Sequence, residues 1–290
     1  MAKNKNYEEA AKYYAEGLVV DPENRFNLIG QGKLKLMSDP KAAAKIFKDA
    51  VKGYKKDALA PLQLAIAKAY YETAVPGYEK PLAQAKKANA RLADIYIFEG
   101  DIFAADGDKG QAAGYYEMAK NFDVNCIEAY IKYCHVYFDI NSQMAIAMLE
   151  ELNQILPESA LAQRELAEAY YKDKQYTRAA AAYEHYVANP NHFAEDRVRL
   201  STLLFYGKRF DESYALAQEI LANDPSNFVL NRIVMYNLYE TTKYAEAREA
   251  ARKFFTLTPG KNQVFIDRDY KCYGDILMKL KMSKEAAAAM

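Results

Sequence analysis

The sequence predicts an all-α fold, a solenoid of stacked helical hairpins, from two observations. The first is a hairpin pattern in residues 166–190, where apolar and small side chains recur at steps of three and four around a polar break at 172–175. The second is repetition, because a small residue marks each presumed second helix about every 34 residues. These markers are Ala10, Ala43, Ala112, Ala145, Ala179, Ser213, Ala247 and Ala286, and the interval from Ala43 to Ala112 is about twice the others. One such hairpin cannot bury its apolar face alone, so the period indicates a repeat array.

The composition agrees with such an array and excludes some classes of partner. The 39 Lys and Arg residues balance 39 Asp and Glu residues, so no net field attracts nucleic acid or an anionic membrane. There is no apolar run of about 18 residues, so membrane insertion is not expected. The three cysteines cannot all pair, and Cys126 and Cys134 would lie about 12 Å apart on one helix, too far for a disulfide. We expect them to act as small buried hydrophobes.

The repeated positions resemble those of the tetratricopeptide-repeat (TPR) family, which places small residues, aromatic residues and a closing proline at fixed points of two helices. The clearest copies are Leu166, Ala167, Tyr170, Tyr176, Ala179 and Tyr183; Val234, Leu238, Tyr244, Ala247, Ala251 and Pro259; and Tyr96, Gly100, Phe103, Ala112, Tyr116 and Ala119. The resemblance covers nearly the whole chain. It implies a right-handed α-solenoid of helix–turn–helix repeats.

Taken in order, the chain is expected to begin with a half repeat and to end with an incomplete one. Residues 1–24 match only a second helix, which suggests a fragment of a longer protein. We expect either that this fragment self-associates through an unsealed end or that the missing sequence closes the array. Ser38 or Asp39 before Pro40 predicts a helix start. Pro81 and the turn at 75–77 leave the second helix of the second repeat without a fixed register. The repeats are expected at 25–59, 60–92, 93–126, 127–159, 160–193, 194–227 and 228–261, with the incomplete repeat at 262–290.

No pattern in the sequence predicts catalysis, a metal site or a cofactor. The glycines are isolated, and His135, His185 and His192 are scattered among different repeats. Cys134 and His135 are adjacent, so they point to different faces and lack a third partner. Short basic clusters such as Lys86-Lys87 are diluted by acidic residues, so nucleic acid is not an expected partner.

The TPR resemblance implies a partner-binding groove lined by the first helix of each repeat. Tyr, Phe and Arg side chains dominate binding at protein interfaces, which favours a groove that holds a peptide. The alternative for any one ring is packing between adjacent first helices. The Lys and Asn pattern that clamps chaperone tails is missing, so that ligand is not expected. Carried over by register, the predicted groove residues are Tyr71, His135, Phe138, Arg164, Tyr171, Phe205, Tyr206, Arg232, Tyr236 and Tyr239.

The predicted function is therefore a non-catalytic scaffold that holds a protein or peptide partner. One alternative is a regulatory or substrate-docking module of a larger enzyme. Another is an assembly factor of the bacterial envelope, because Tyr- and Lys-rich TPR arrays of this style look like exported bacterial proteins. That resemblance places the chain in the periplasm or cell envelope, with the cytoplasm as the alternative.

Overall fold

A computed structural model describes residues 7–193 and 195–282, and every regular element in these ranges is helical. This confirms the predicted all-α fold class. Ala194, the expected start of a repeat, and Ala286, a predicted helix marker, lie outside the described residues. Besides a 3₁₀ turn at Lys56–Ala58, the helices are α1 Tyr7–Val20, α2 Arg25–Lys35, α3 Pro40–Ala50, α4 Ala60–Glu72, α5 Glu79–Ala88, α6 Ala93–Ala105, α7 Lys109–Phe122, α8 Ile127–Tyr137, α9 Ser142–Ile155, α10 Ala160–Lys172, α11 Tyr176–Ala188, α12 Asp196–Tyr206, α13 Phe210–Leu221, α14 Phe228–Glu240, α15 Tyr244–Phe255 and α16 Asp267–Lys279.

The chain divides into two compact units, residues 1–141 and 142–290. In the first unit, α2 packs on α3, α4 on α5 and α6 on α7, and α4 also contacts α2 and α6. In the second unit, α10 packs on α11, α12 on α13 and α14 on α15, and α14 also contacts α12 and α16. Each unit therefore consists of helical hairpins whose first helices are neighbours. The division of the chain into the predicted repeats stays a prediction.

Side-chain caps explain where several helices begin. Asp39 accepts a hydrogen bond from the Ala42 N–H directly before Pro40, which confirms the predicted helix start. Asp108 caps α7 and Asn227 caps α14 in the same way. The second helix after the turn at 75–77, whose register the sequence left open, is α5, Glu79–Ala88.

Small residues allow close helix crossings at the predicted places. A methyl group on Gly100 of α6 would lie 2.4 Å from the Tyr116 ring of α7, so only glycine fits beside that ring. Where α12 crosses α13, the Ser201 hydroxyl donates to the Ser213 carbonyl at 3.1 Å, and the Ser213 hydroxyl donates to the Ser201 carbonyl at 2.7 Å. Both serines are fully buried. The hydrogen bonds satisfy polar groups that this close approach removes from water.

A left-handed residue follows α4, α10, α12, α14 and α16. Its φ lies between +56° and +62° although none of these residues is glycine, which adopts this conformation with the least steric cost. They are Ala74, Lys174, Lys208, Thr242 and Lys281.

The cysteines differ in exposure. Cys134 and Cys272 are buried, as expected for small hydrophobes, whereas Cys126 is only half-buried at the start of α8. None of the three forms a disulfide bond. Within the described ranges, no helix combines the length and apolar character needed to span a membrane.

Candidate partner-binding surface

Of the predicted groove residues in the first unit, Tyr71 lies in a ring cluster. Its ring centroid lies 5.5 Å from that of Tyr78 and 5.5 Å from that of Phe98, both in edge-on geometry. Phe98 belongs to the neighbouring first helix α6 and is buried. Partial burial raises the pKa of the Tyr71 hydroxyl. The Tyr71 ring thus packs against the next first helix while remaining half-exposed.

The other two predicted residues of the first unit differ in accessibility. His135 is exposed on α8, one turn before its end. Phe138 follows α8 directly and is buried. Only His135 therefore presents a largely accessible side chain.

In the second unit, three tyrosines form a triangle of rings. The Tyr171 and Tyr206 centroids lie 5.7 Å apart, and Tyr176 lies 5.7 Å from Tyr171 and 5.3 Å from Tyr206. All three rings are half-buried. Tyr171 is the penultimate residue of α10, Tyr206 ends α12 and Tyr176 begins α11, so helix ends from two hairpins place them together. Burial raises the pKa of the Tyr206 hydroxyl, which therefore stays neutral and able to donate a hydrogen bond.

Arg199 of α12 holds one side of this triangle. Its guanidinium lies 4.2 Å from the Tyr171 ring centroid. It also donates two hydrogen bonds to the Glu168 carboxylate of α10, at 2.9 and 2.6 Å. A two-pronged ion pair of this kind fixes both side chains. Arg199 thereby joins the two first helices, α10 and α12, beside the tyrosine rings.

Phe205 and Tyr236, both predicted groove residues, are only 3% and 4% exposed. Their centroids lie 5.6 Å apart across α12 and α14. Arg268 of α16 covers both rings, with its guanidinium carbon 5.3 Å from the Phe205 centroid and 4.7 Å from the Tyr236 centroid. The accessible group at this point is therefore Arg268, not the predicted rings. We call the five accessible side chains the arginine–tyrosine surface: Tyr171, Tyr176, Arg199, Tyr206 and Arg268.

Arg232, also predicted to line the groove, forms a buried ion pair. Its Nε and Nη2 donate to the Asp269 carboxylate at 2.9 and 2.8 Å, and the Arg232 side chain is 18% exposed against 0% for Asp269. The Tyr236 hydroxyl donates to the same carboxylate. Burial, and then this hydrogen bond, raises the pKa of Tyr236. Arg232 and Tyr236 thus hold α14 on α16.

Tyr239 and Arg164 are the remaining predicted residues. Tyr239 is half-buried and borders a cavity of about 380 Å³ between α14 and α16. Arg164 is exposed on α10. The cavity is lined by Tyr236, Tyr239, Glu240, Arg268, Lys271, Cys272 and Asp275.

The chemistry of this surface is that of binding. Rings and guanidinium groups provide stacking and charged hydrogen bonds. Burial raises the pKa of the Cys272 thiol to about 12, so this cysteine is a poor nucleophile. In the part of the chain that the structure describes, no group of three or more His, Cys, Asp and Glu side chains could hold a metal ion.

Sequence reasoning missed Tyr176, Arg199 and Arg268. Arg268 lies three residues before Lys271, so the two side chains lie on one face of α16. Extending the predicted groove positions of the earlier repeats to α16 could have included Arg268. Tyr176 and Arg199 gave no comparable signal. Their place depends on which helix ends meet, and only the fold shows this.

The paired helices, the small residues at their crossings and the contacts between successive first helices define a helical-repeat protein. No model of a protein family matches the chain, and no curated protein matches it. Many solved structures are similar to it, two of which follow. A tetratricopeptide repeat protein from Parabacteroides merdae is 16% identical over 79% of this chain and 90% of that one, with a TM-score of 0.52. PilW, a widely conserved type IV pilus biogenesis factor, is 14% identical over 68% of this chain and 90% of that one, with a TM-score of 0.51. At this identity the likeness shows the fold, which is the TPR fold predicted from the sequence.

Proposed function

We propose that this protein is a non-catalytic scaffold that binds a peptide or domain of a partner protein, with the arginine–tyrosine surface as its main contact. The observation that carries the proposal is a set of partly exposed rings already held in place by their neighbours. Tyr206 contacts two other tyrosine rings, and Arg199 is fixed by its ion pair with Glu168. Ordered rings lose little conformational entropy on binding, so more of the contact energy appears as affinity.

The ten residues predicted from the sequence take two roles in this proposal. Tyr71, His135, Arg164, Tyr171, Tyr206 and Tyr239 are exposed or half-buried and are proposed to contact the partner. Phe138, Phe205, Arg232 and Tyr236 are buried or committed to an ion pair and are proposed to support them. A scaffold role suits the TPR fold, which PilW, a biogenesis factor, shares.

Site-specific photo-cross-linking in the source cells tests this proposal. A benzophenone amino acid replaces Tyr206 or Tyr239 on the proposed surface, or the exposed Tyr13 of α1 as the control. We expect the same protein adduct from Tyr206 and Tyr239 and none from Tyr13. Y206A should weaken the association about 30-fold, because an interface tyrosine contributes about 2 kcal/mol. Adducts that do not depend on the position, or none from the surface, would refute the proposal.

A further inference from the structure

Arginine side chains stacked on aromatic rings recur in the second unit. A guanidinium in this position keeps its flat face on the ring while its N–H edges remain available for a carboxylate. The stacks are Arg178 on Tyr170 at 4.2 Å, Arg199 on Tyr171 at 4.2 Å, Arg232 on Phe228 at 4.9 Å and Arg268 on Tyr236 at 4.7 Å.

Three of these four arginines have a carboxylate partner. Arg178 pairs with Glu150 at 2.6 Å, and its partner comes from another helix of the unit. Arg199 pairs with Glu168 at 2.6 Å, and Arg232 pairs with Asp269 at 2.8 Å. In each case the arginine, its ring and its acid join neighbouring helices. The acids are Glu150 of α9, Glu168 of α10 and Asp269 of α16.

Arg268 also lies over an aromatic ring, but it has no carboxylate partner among the described residues. Its guanidinium covers Phe205 and Tyr236, its side chain is exposed, and no carboxylate of residues 7–193 and 195–282 lies within ion-pair distance. Glu240 and Asp275 border the cavity between α14 and α16 together with Arg268, but neither carboxylate forms an ion pair with Arg268. Arg268 is thus an exposed donor on the arginine–tyrosine surface, held beside the Phe205 and Tyr236 rings.

We infer that the missing carboxylate comes from the partner. An Asp or Glu side chain of a bound segment pairs with Arg268, and a neighbouring apolar side chain of that segment lies on the Tyr206 and Tyr239 rings. This inference rests on the proposed function and specifies the chemistry of its ligand. A planar guanidinium matches a carboxylate with two parallel hydrogen bonds, so the contact adds specificity as well as affinity.

The charges around the cavity favour a carboxylate over a phosphate. They also orient the bound segment, because one end of the cavity is positive and the other is negative. Lys271 lies one turn from Arg268 on α16 and makes this end positive. Glu240 and Asp275 lie near the C-terminal ends of α14 and α16 and make the other end negative. A phosphate group, with nearly two negative charges, would meet stronger repulsion from these two acids than a carboxylate does.

Selection of binders from a random peptide library on the full chain tests the inference. We expect Asp or Glu at one fixed distance from an apolar residue in the selected peptides. R268E should lower their affinity at least about tenfold, as expected for loss of a charged hydrogen bond. Replacing the selected acid by Lys should restore binding to R268E. The matched control is R252E, which makes the same charge change on the exposed face of α15, where Arg252 lies 3.9 Å from Glu249.

The outcomes separate this inference from the proposed function. Selected peptides without a shared acid, equal losses in R268E and R252E, or no rescue by charge reversal would overturn the inference and leave the scaffold proposal standing. Selection of no peptide would also overturn it, while the cross-linking experiment decides the scaffold role independently. Far-UV circular dichroism and thermal unfolding of both variants should match those of the unaltered protein.

Discussion

Asp269 offers the sharpest test of how the second unit is held together. Its carboxylate is completely buried and accepts hydrogen bonds from four donors. Two come from Arg232 of α14, one from the Tyr236 hydroxyl and one, at 2.9 Å, from the Ile266 N–H at the start of α16. We predict that D269A destabilises the contact between α14 and α16 far more than an ordinary surface substitution.

The expected cost follows from the charge that the substitution leaves behind. Removing one partner of a buried ion pair costs about 3–5 kcal/mol, because the other charge stays buried without compensation. Arg232 retains 18% side-chain exposure and also donates to the Val264 carbonyl, so water and this bond offset part of the loss. The lower end of the range, about 3 kcal/mol, is therefore expected.

Native-state hydrogen exchange is the suitable assay, because it reports on α14 and α16 separately from the rest of a chain with two compact units. Protection of their amides should fall about 100-fold in D269A. The control D267N changes an exposed acid two residues earlier and should stay within about 0.5 kcal/mol of the unaltered protein. The double variant R232M/D269L should recover most of the loss, since no charge remains buried.

Equal protection in D269A and D267N would refute this reasoning. It would mean that the ring packing around Phe228, Phe254 and Phe265 holds α16 without the ion pair. A double variant as unstable as D269A would instead show that apolar groups cannot replace the pair at this site.

Three further predictions concern other parts of the chain. G100A should destabilise the first unit by about 1–3 kcal/mol in urea unfolding, because the new methyl group meets a ring at 2.4 Å. At neutral pH, D196N should lose about 1–2 kcal/mol, because hydrogen bonds from two tyrosines and a backbone N–H are weakened. Burial alone would raise the pKa of Asp196, but these hydrogen bonds lower it below its ordinary value, so its stabilisation is present above about pH 4 and is lost as the pH falls through the folded-state pKa. Iodoacetamide should alkylate half-buried Cys126 faster than buried Cys272, as followed by peptide mass spectrometry.

Each of these three predictions has a control or an outcome that would contradict it. G114A places a methyl group in open space on the same hairpin and should gain up to about 1 kcal/mol from helix propensity, so a loss there equal to that of G100A would contradict the steric argument. A stability gap between D196N and the unaltered protein that widens on acidification would contradict the sign derived for Asp196. Equal alkylation rates for the two thiols would show that α16 opens as readily as the start of α8.

The crossings of the helices could be predicted because they depend on side-chain size at fixed sequence intervals. Ala179 and Tyr183 are buried as their spacing within one helix suggests, and Gly100 fits beside Tyr116. Size and period are visible in a single sequence. This explains why the fold class was predicted from these residues and confirmed.

The ends of long side chains could not be predicted in the same way. Register places the Arg232 and Tyr236 stems on the groove side, but their polar tips reach Asp269, more than 30 residues away in the sequence. In a sequence, an aspartate near the start of a helix suggests a solvent-exposed cap. In the structure, Asp269 is buried and bonded to Arg232 and Tyr236. Whether the ten predicted residues bind a partner stays a prediction until cross-linking tests it.

The left-handed residues that follow the first helices cost the hairpins stability that other residues would recover. Such a conformation costs a residue with a side chain about 1 kcal/mol or more, and a branched one such as Thr242 at φ +60° pays the most. Glycine or asparagine at Lys174, Lys208 and Thr242 would relieve this strain. Recovering this stability would let the surface residues accept more destabilising changes before the fold fails.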